Sequence, residues 1–236
     1  MDVAWHLIAV YISLVIPVSG FLEQRRLKRM TSQASKEQAY LILHGVYWIA
    51  ALPVLLIDPT VYRVRHSLEL GWMGHTLLSA ALAYLLIVTV VPLILLRYNG
   101  DLRKEVAKSY EKRRHTFPTT ERQHKLFVWV SITVGITEEI LYRGFLYNYG
   151  VEHWGLSSLA SAVTVSLVFG LIHFSQGLAG IFSSFVFGAV MAWLYFITGS
   201  LLLPVILHIL YDLKIIGVQK ILNNKNTQSE YAPDVL

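Results

Sequence analysis

The chain has 236 residues, 55% of them hydrophobic, only 15% charged and none of them cysteine. Soluble domains carry about 25% charged residues, so an ordinary soluble domain is excluded. The missing cysteines exclude a disulfide framework, thiolate catalysis and cysteine-ligated metal.

The apolar runs are continuous rather than alternating. This predicts an all-α, polytopic transmembrane bundle of about seven spans, or eight if one is broken, and argues against a barrel. The net charge of +5 then reads as cytoplasmic loops and anionic-lipid contact, not nucleic-acid binding.

Residues 3–22 are uncharged and about 30 Å long as a helix. No positive segment precedes them and no small-residue cleavage site follows, so they read as a retained span rather than a signal peptide. Residues 23–38 form a basic, polar loop. Residues 40–57 are the second span, ended by Asp58-Pro59, and residues 71–96 the third. The polar stretch 97–125 is dense in Lys, Arg and Glu, and its 101–114 part is expected to lie as a helix on the headgroups.

The remaining spans are 126–149, 155–174, 177–198 and 201–221. Very short turns join them, so they should pack as one compact core. Gly170, Gly180 and Gly188 suit close helix approach. The chain thus divides into N-terminal spans and basic loops (1–125), a core (126–222) and a polar tail expected to be disordered (223–236).

Orientation follows from Lys and Arg. Five (Arg25, Arg26, Lys28, Arg29, Lys36) fall in one expected inner loop and nine, Arg97 through Lys125, in the next. Lys214, Lys220 and Lys225 add to the C-terminal side, whereas the outer loops hold only Arg63 and Arg65. This predicts N-out, C-in, in the inner membrane of a bacterium if the source is bacterial.

Ionisable residues in hydrocarbon cost several kcal/mol each, so they need partners or a function. Three clusters stand out. In Glu138-Glu139-Ile140-Leu141-Tyr142-Arg143, Glu139 and Arg143 are four apart on one helical face and can neutralise each other. Glu138 points about 100° away without that partner, which suits a proton shuttle. The alternative is an ion network that only fixes packing. His173 closes Phe169-Gly170-Leu171-Ile172-His173 and by itself is as compatible with an interface as with a function. In His208-Ile209-Leu210-Tyr211-Asp212, His208 and Asp212 share a face. They form an orienting pair, two ligands to one substrate or metal, or a bond at a helix interface.

His6, His44 and His75 lack acidic company and read as packing or interfacial residues, while His66, His115, His124 and His153 fall in loops. The six tryptophans lie mostly near span ends, as interfacial anchors do.

Together the three clusters resemble the CPBP family of intramembrane proteases, which includes the eukaryotic CAAX prenyl endopeptidase and bacterial relatives linked to bacteriocin handling. The family pattern is Glu-Glu-x-x-x-Arg, then Phe-x-x-x-His, then His-x-x-x-Asn or Asp, and all three occur here in order. The resemblance covers roughly residues 120–220. It implies that Glu138 activates water, that His173 helps polarise it, and that His208 and Asp212 stabilise the oxyanion, with Glu139 and Arg143 holding the set in place. The implied substrate is a membrane-associated protein or peptide.

An ionised Asp212 cannot donate a hydrogen bond. It carries a proton, orients His208, or binds metal. Glu138, His173, His208 and Asp212 would make a N/O zinc set, although a cofactor-free glutamate mechanism is favoured because the His-Glu-x-x-His zinc helix is absent. Two non-protease readings use the same polar core: a peptide-binding immunity or chaperone-like membrane protein, and a proton-coupled transporter. The lack of repeat symmetry weighs against the second. By helical rise, Glu138 and His208 lie near one depth, with His173 about 10 Å or more away; tilt or a shifted span end has to close that gap.

Overall fold

A computed structural model describes residues 2–29, 33–58, 61, 71–112, 114 and 116–223. Arg63, Arg65, His66, Arg113, His115 and the tail beyond residue 223, with Lys225, lie outside the described residues.

The described residues form eight helices and no strand. Helix α1 runs over 2–29, α2 over Gln33–Ile57, α3 over Trp72–Tyr98 and α4 over Gly100–Lys112. Helix α5 runs over 121–152, α6 over Ser158–Ile172, α7 over Gly177–Thr198 and α8 over Leu202–Leu222. A 3-10 turn, Phe174–Gln176, joins α6 to α7. Seven helices coincide with the seven expected spans, and α4 is the helix expected in the basic segment. Among the described residues, four stretches are long and apolar enough to cross a membrane: Lys36–Ile57, Gly74–Tyr98, Phe174–Thr198 and Leu202–Leu222. They mark a multi-pass membrane protein. The apolar stretches Val3–Ser19 and Ser158–Ile172 are shorter.

The helix boundaries follow local chemistry. Thr120 caps α5 by accepting the Gln123 N–H at 3.2 Å, and Ser157 caps α6 by accepting the Ala160 N–H at 3.2 Å; each satisfies an orphan donor of the first turn. Gly199, at φ 61°, ends α7 in the left-handed region open to glycine. The fourth expected span therefore starts early, at Glu121, and His124 sits in helix rather than loop.

Helix α5 is the centre of the bundle. Residues 137–150 are buried without interruption. Helices α2 and α8 pack along α5, α6 along α7, and α3 against α8. The chain thus places its most charged span where the other helices, not lipid, surround it. The apolar surplus faces outward, with Leu7, Leu56, Leu86 and Leu178 exposed.

Two close approaches set the geometry near the centre. A Cβ on Gly135 would lie 2.6 Å from Ile209 Cγ1, so α5 and α8 touch there nearly backbone to backbone. A Cβ on Gly170 would lie 2.8 Å from the Ile181 carbonyl oxygen, which locks α6 onto α7. Gly188 also receives close neighbours, Phe169 and Arg143, whereas Gly180 meets Gln176 of its own chain rather than another helix.

Candidate active site

The Glu pair stands at a change of helical register. Helix α5 is an ordinary α-helix to Glu138 and then widens into a π segment, Glu139–Leu146, before returning to α-helix at Tyr147. Such segments often mark functional sites. Asn148 stabilises this one: its Nδ2 donates to the Gly144 carbonyl at 2.6 Å and to the Tyr195 hydroxyl at 2.9 Å.

Glu139 is fully buried and anchors two helices. Its Oε1 accepts from Arg143 Nη1 at 2.9 Å, on its own helix, and from His208 Nδ1 at 2.7 Å, on α8. An ionised carboxylate only accepts, so the shared proton belongs to His208 Nδ1 and the other ring nitrogen, Nε2, is turned away from Glu139. That Nε2 lies 3.7 Å from Glu138 Oε2. Arg143 is fully buried, donates from Nη2 to the Gly188 carbonyl at 3.1 Å, and stacks its guanidinium 4.6 Å from the centre of the Phe169 ring. The Glu139–Arg143 pairing that the four-residue spacing predicts is therefore present and also joins α5 to α7.

Glu138 is buried as well. Its Oε1 accepts from the Tyr47 hydroxyl of α2 at 2.9 Å. Tyr47 has no counterpart in the sequence motifs, and its only sequence signal is a tyrosine in the middle of an apolar span, away from the interfaces where tyrosine is usual. His44, on the same helix as Tyr47, is joined to Thr133 of α5 at 2.6 Å.

His173 follows the last residue of α6. This helix has 15 residues and is about 22 Å long, shorter than a ~30 Å hydrocarbon core. The His173 ring folds back on its own helix: Nδ1 donates to the Phe169 carbonyl at 2.8 Å, and the ring packs 5.0 Å from the Phe169 ring. His173 lies within electrostatic range of His208 and Asp212.

Asp212 lies within electrostatic range of His208, Glu138 and His173. Among the described residues no hydrogen bond joins it to His208, whose orienting partner is Glu139. His173 and Asp212 are half-buried, whereas Glu138, Glu139, Arg143 and His208 are buried. The arrangement is thus a buried acid–base cluster with two polar groups at its accessible rim. A cavity of about 380 Å³ lies further along α8, lined by Tyr110, Glu111, Arg114 and Gln219. Among the described residues no three His, Asp or Glu side chains stand where they would hold one metal ion, so the zinc set is not assembled in this arrangement.

Residues 121–214 match the family model described as type II CAAX prenyl endopeptidase Rce1-like. The match begins at the first residue of α5 and ends beyond Asp212 on α8, so it contains Glu138, Glu139, Arg143, His173, His208 and Asp212. No curated protein and no solved structure matches the chain.

Proposed function

With residues 121–214 an Rce1-like type II CAAX prenyl endopeptidase domain, we propose that this chain is an intramembrane endopeptidase that cleaves a membrane-associated protein or peptide with a water activated by Glu138. The observation that carries this reading is the pair of buried carboxylates with separate tasks: Glu139 is bound to Arg143 and His208, while Glu138 faces His208 Nε2 and is held by one phenol.

The reaction follows from those contacts. Glu138 takes one proton from a water whose oxygen attacks the scissile carbonyl carbon. The π electrons move onto the carbonyl oxygen, giving a tetrahedral oxyanion. On collapse the C–N bond breaks, and the proton held by Glu138 passes to the leaving amine. The products are a carboxylic acid, which keeps the second water proton until it ionises in solvent, and an amine. His173, with its Nδ1 proton committed to Phe169, offers Nε2 as an acceptor that orients the water. Two carboxylates and one guanidinium leave one negative charge in excess, and a His208 protonated on both nitrogens balances it and presents an Nε2–H to the oxyanion. Asp212 steadies the positive charge on His208.

Of the accessible rim, His173 lies at the expected cytoplasmic end of α6, whereas Asp212 lies at the middle of α8. Substrate and water enter from that side, with N-out, C-in orientation. Glu138→Gln tests the assignment in a purified cleavage assay. It preserves shape and can still accept from Tyr47, yet it removes the base, so the expected result is loss of cleavage. Undiminished turnover sinks the mechanism.

A further inference from the structure

We propose that the Tyr142 hydroxyl is a second oxyanion donor, bonding the scissile carbonyl oxygen as the tetrahedral intermediate forms. The proposal rests on the endopeptidase reading above and adds a catalytic residue to it.

Tyr142 is fully buried, and its hydroxyl has no hydrogen-bond partner among the described residues. Buried phenols nearly always find one. The orphan is not remote from the chemistry. Tyr142 stands four residues beyond Glu138 on α5, about one helical turn away, and lies within electrostatic range of Glu138, Arg143 and Tyr47. Its ring is fixed edge-on against Phe169, centroids 5.2 Å apart at 81°, so the hydroxyl is held in place by packing rather than by a polar bond. A donor held ready for a charge that appears only during reaction has this character.

The other donors nearby are committed. Tyr47 donates to Glu138, His173 Nδ1 to the Phe169 carbonyl and His208 Nδ1 to Glu139. Arg143 Nε also lacks a partner, but both terminal nitrogens of that guanidinium are already bound, to Glu139 and to Gly188. An ionised Asp212 accepts only. With His208 Nε2–H as one donor, Tyr142 is the group left to supply the other. Glu138 and Tyr142 are buried together, so the opening that admits substrate to the base also exposes the phenol.

In balance terms, Tyr142 keeps its proton. The electron pair displaced from the carbonyl π bond settles on the oxygen, and the phenol O–H stabilises that negative charge until the C–N bond breaks and the pair returns.

The test compares the full-length parent, Tyr142→Phe and Glu138→Gln in proteoliposomes. The probes are a farnesylated CAAX peptide and a fluorescein-labelled transmembrane peptide. Tyr142→Phe removes one oxygen and retains the ring. Its kcat should fall about a hundredfold or more, with KM within about twofold and Tm unchanged or higher, because an unsatisfied buried group has been removed. A kcat within about threefold of the parent, alongside an inactive Glu138→Gln, overturns the Tyr142 role alone. A lowered Tm also overturns it, by marking a structural hydrogen bond. An active Glu138→Gln, or a parent that cleaves neither probe, overturns the endopeptidase reading and this proposal with it.

Discussion

Glu139 and His208 are 69 residues apart in sequence and joined by a 2.7 Å hydrogen bond between α5 and α8. The same carboxylate oxygen receives Arg143, so one atom both locks two helices together and fixes which imidazole nitrogen faces Glu138. Packing and acid–base geometry are therefore a single interaction at this point.

The two adjacent glutamates should separate cleanly under substitution. Glu139→Gln leaves the fully buried Arg143 without a counter-charge, and breaking a buried ion pair from one side costs about 3–5 kcal/mol. Glu138→Gln keeps a group that accepts from Tyr47 and is expected to cost less than about 1 kcal/mol. Unfolding in detergent micelles reads both. Equal destabilisation by the two variants would contradict the division of labour.

A steric prediction concerns Gly170 and Gly45. At Gly170 the added Cβ would press on the Ile181 carbonyl oxygen at 2.8 Å and on Phe185, which are backbone and near-backbone atoms unable to swing aside. Gly170→Ala should cost about 1–3 kcal/mol and should lower activity, since α6 carries His173. Gly45, on α2, has nothing within 4 Å of such a Cβ, and Gly45→Ala should be neutral. The comparison needs only Tm and cleavage rate for each variant. A tolerant Gly170 would show that the α6–α7 contact can yield around a 2.8 Å approach.

The charged cluster was legible in sequence because charge in an apolar span has no neutral explanation, and because four-residue spacing on a helix is a contact rule. That rule gives Glu139–Arg143 directly and also places Tyr142 one turn from Glu138. What the sequence did not reveal is long-range or conformational. Tyr47 is 91 residues from the carboxylate it holds, and nothing near position 47 points to a partner. The π segment at Glu139–Leu146 carries no compositional mark, and the Asn148 amide that donates to its Gly144 carbonyl lies outside it. The end of α6 was not legible either, since the apolar run continues to Phe174 whereas the helix stops at Ile172.

Orientation has a direct test because the chain is naturally free of cysteine. Lys108 lies exposed on α4, and a side chain at Gly71, just before α3, meets nothing within 4 Å. With the N-terminus outside, Gly71→Cys should react with a membrane-impermeant maleimide added to intact cells, and Lys108→Cys only after permeabilisation. The reverse pattern would invert the topology and move the opening at His173 to the other face.

The bond between Tyr47 and Glu138 makes a last prediction about the base itself. A hydrogen bond to a charged group contributes about 1.5–3 kcal/mol, and one between neutral groups about 1 kcal/mol. Tyr47→Phe should therefore destabilise the parent more than it destabilises Glu138→Gln, and a double-mutant cycle should return a coupling of about 1 kcal/mol. Tyr47→Phe should also slow cleavage about tenfold, because the carboxylate loses the contact that aims it at the water while the fold survives. A coupling near zero would mean that the phenol bonds a neutral acceptor as strongly as the carboxylate, and the bond would then not favour Glu138 as a charged base.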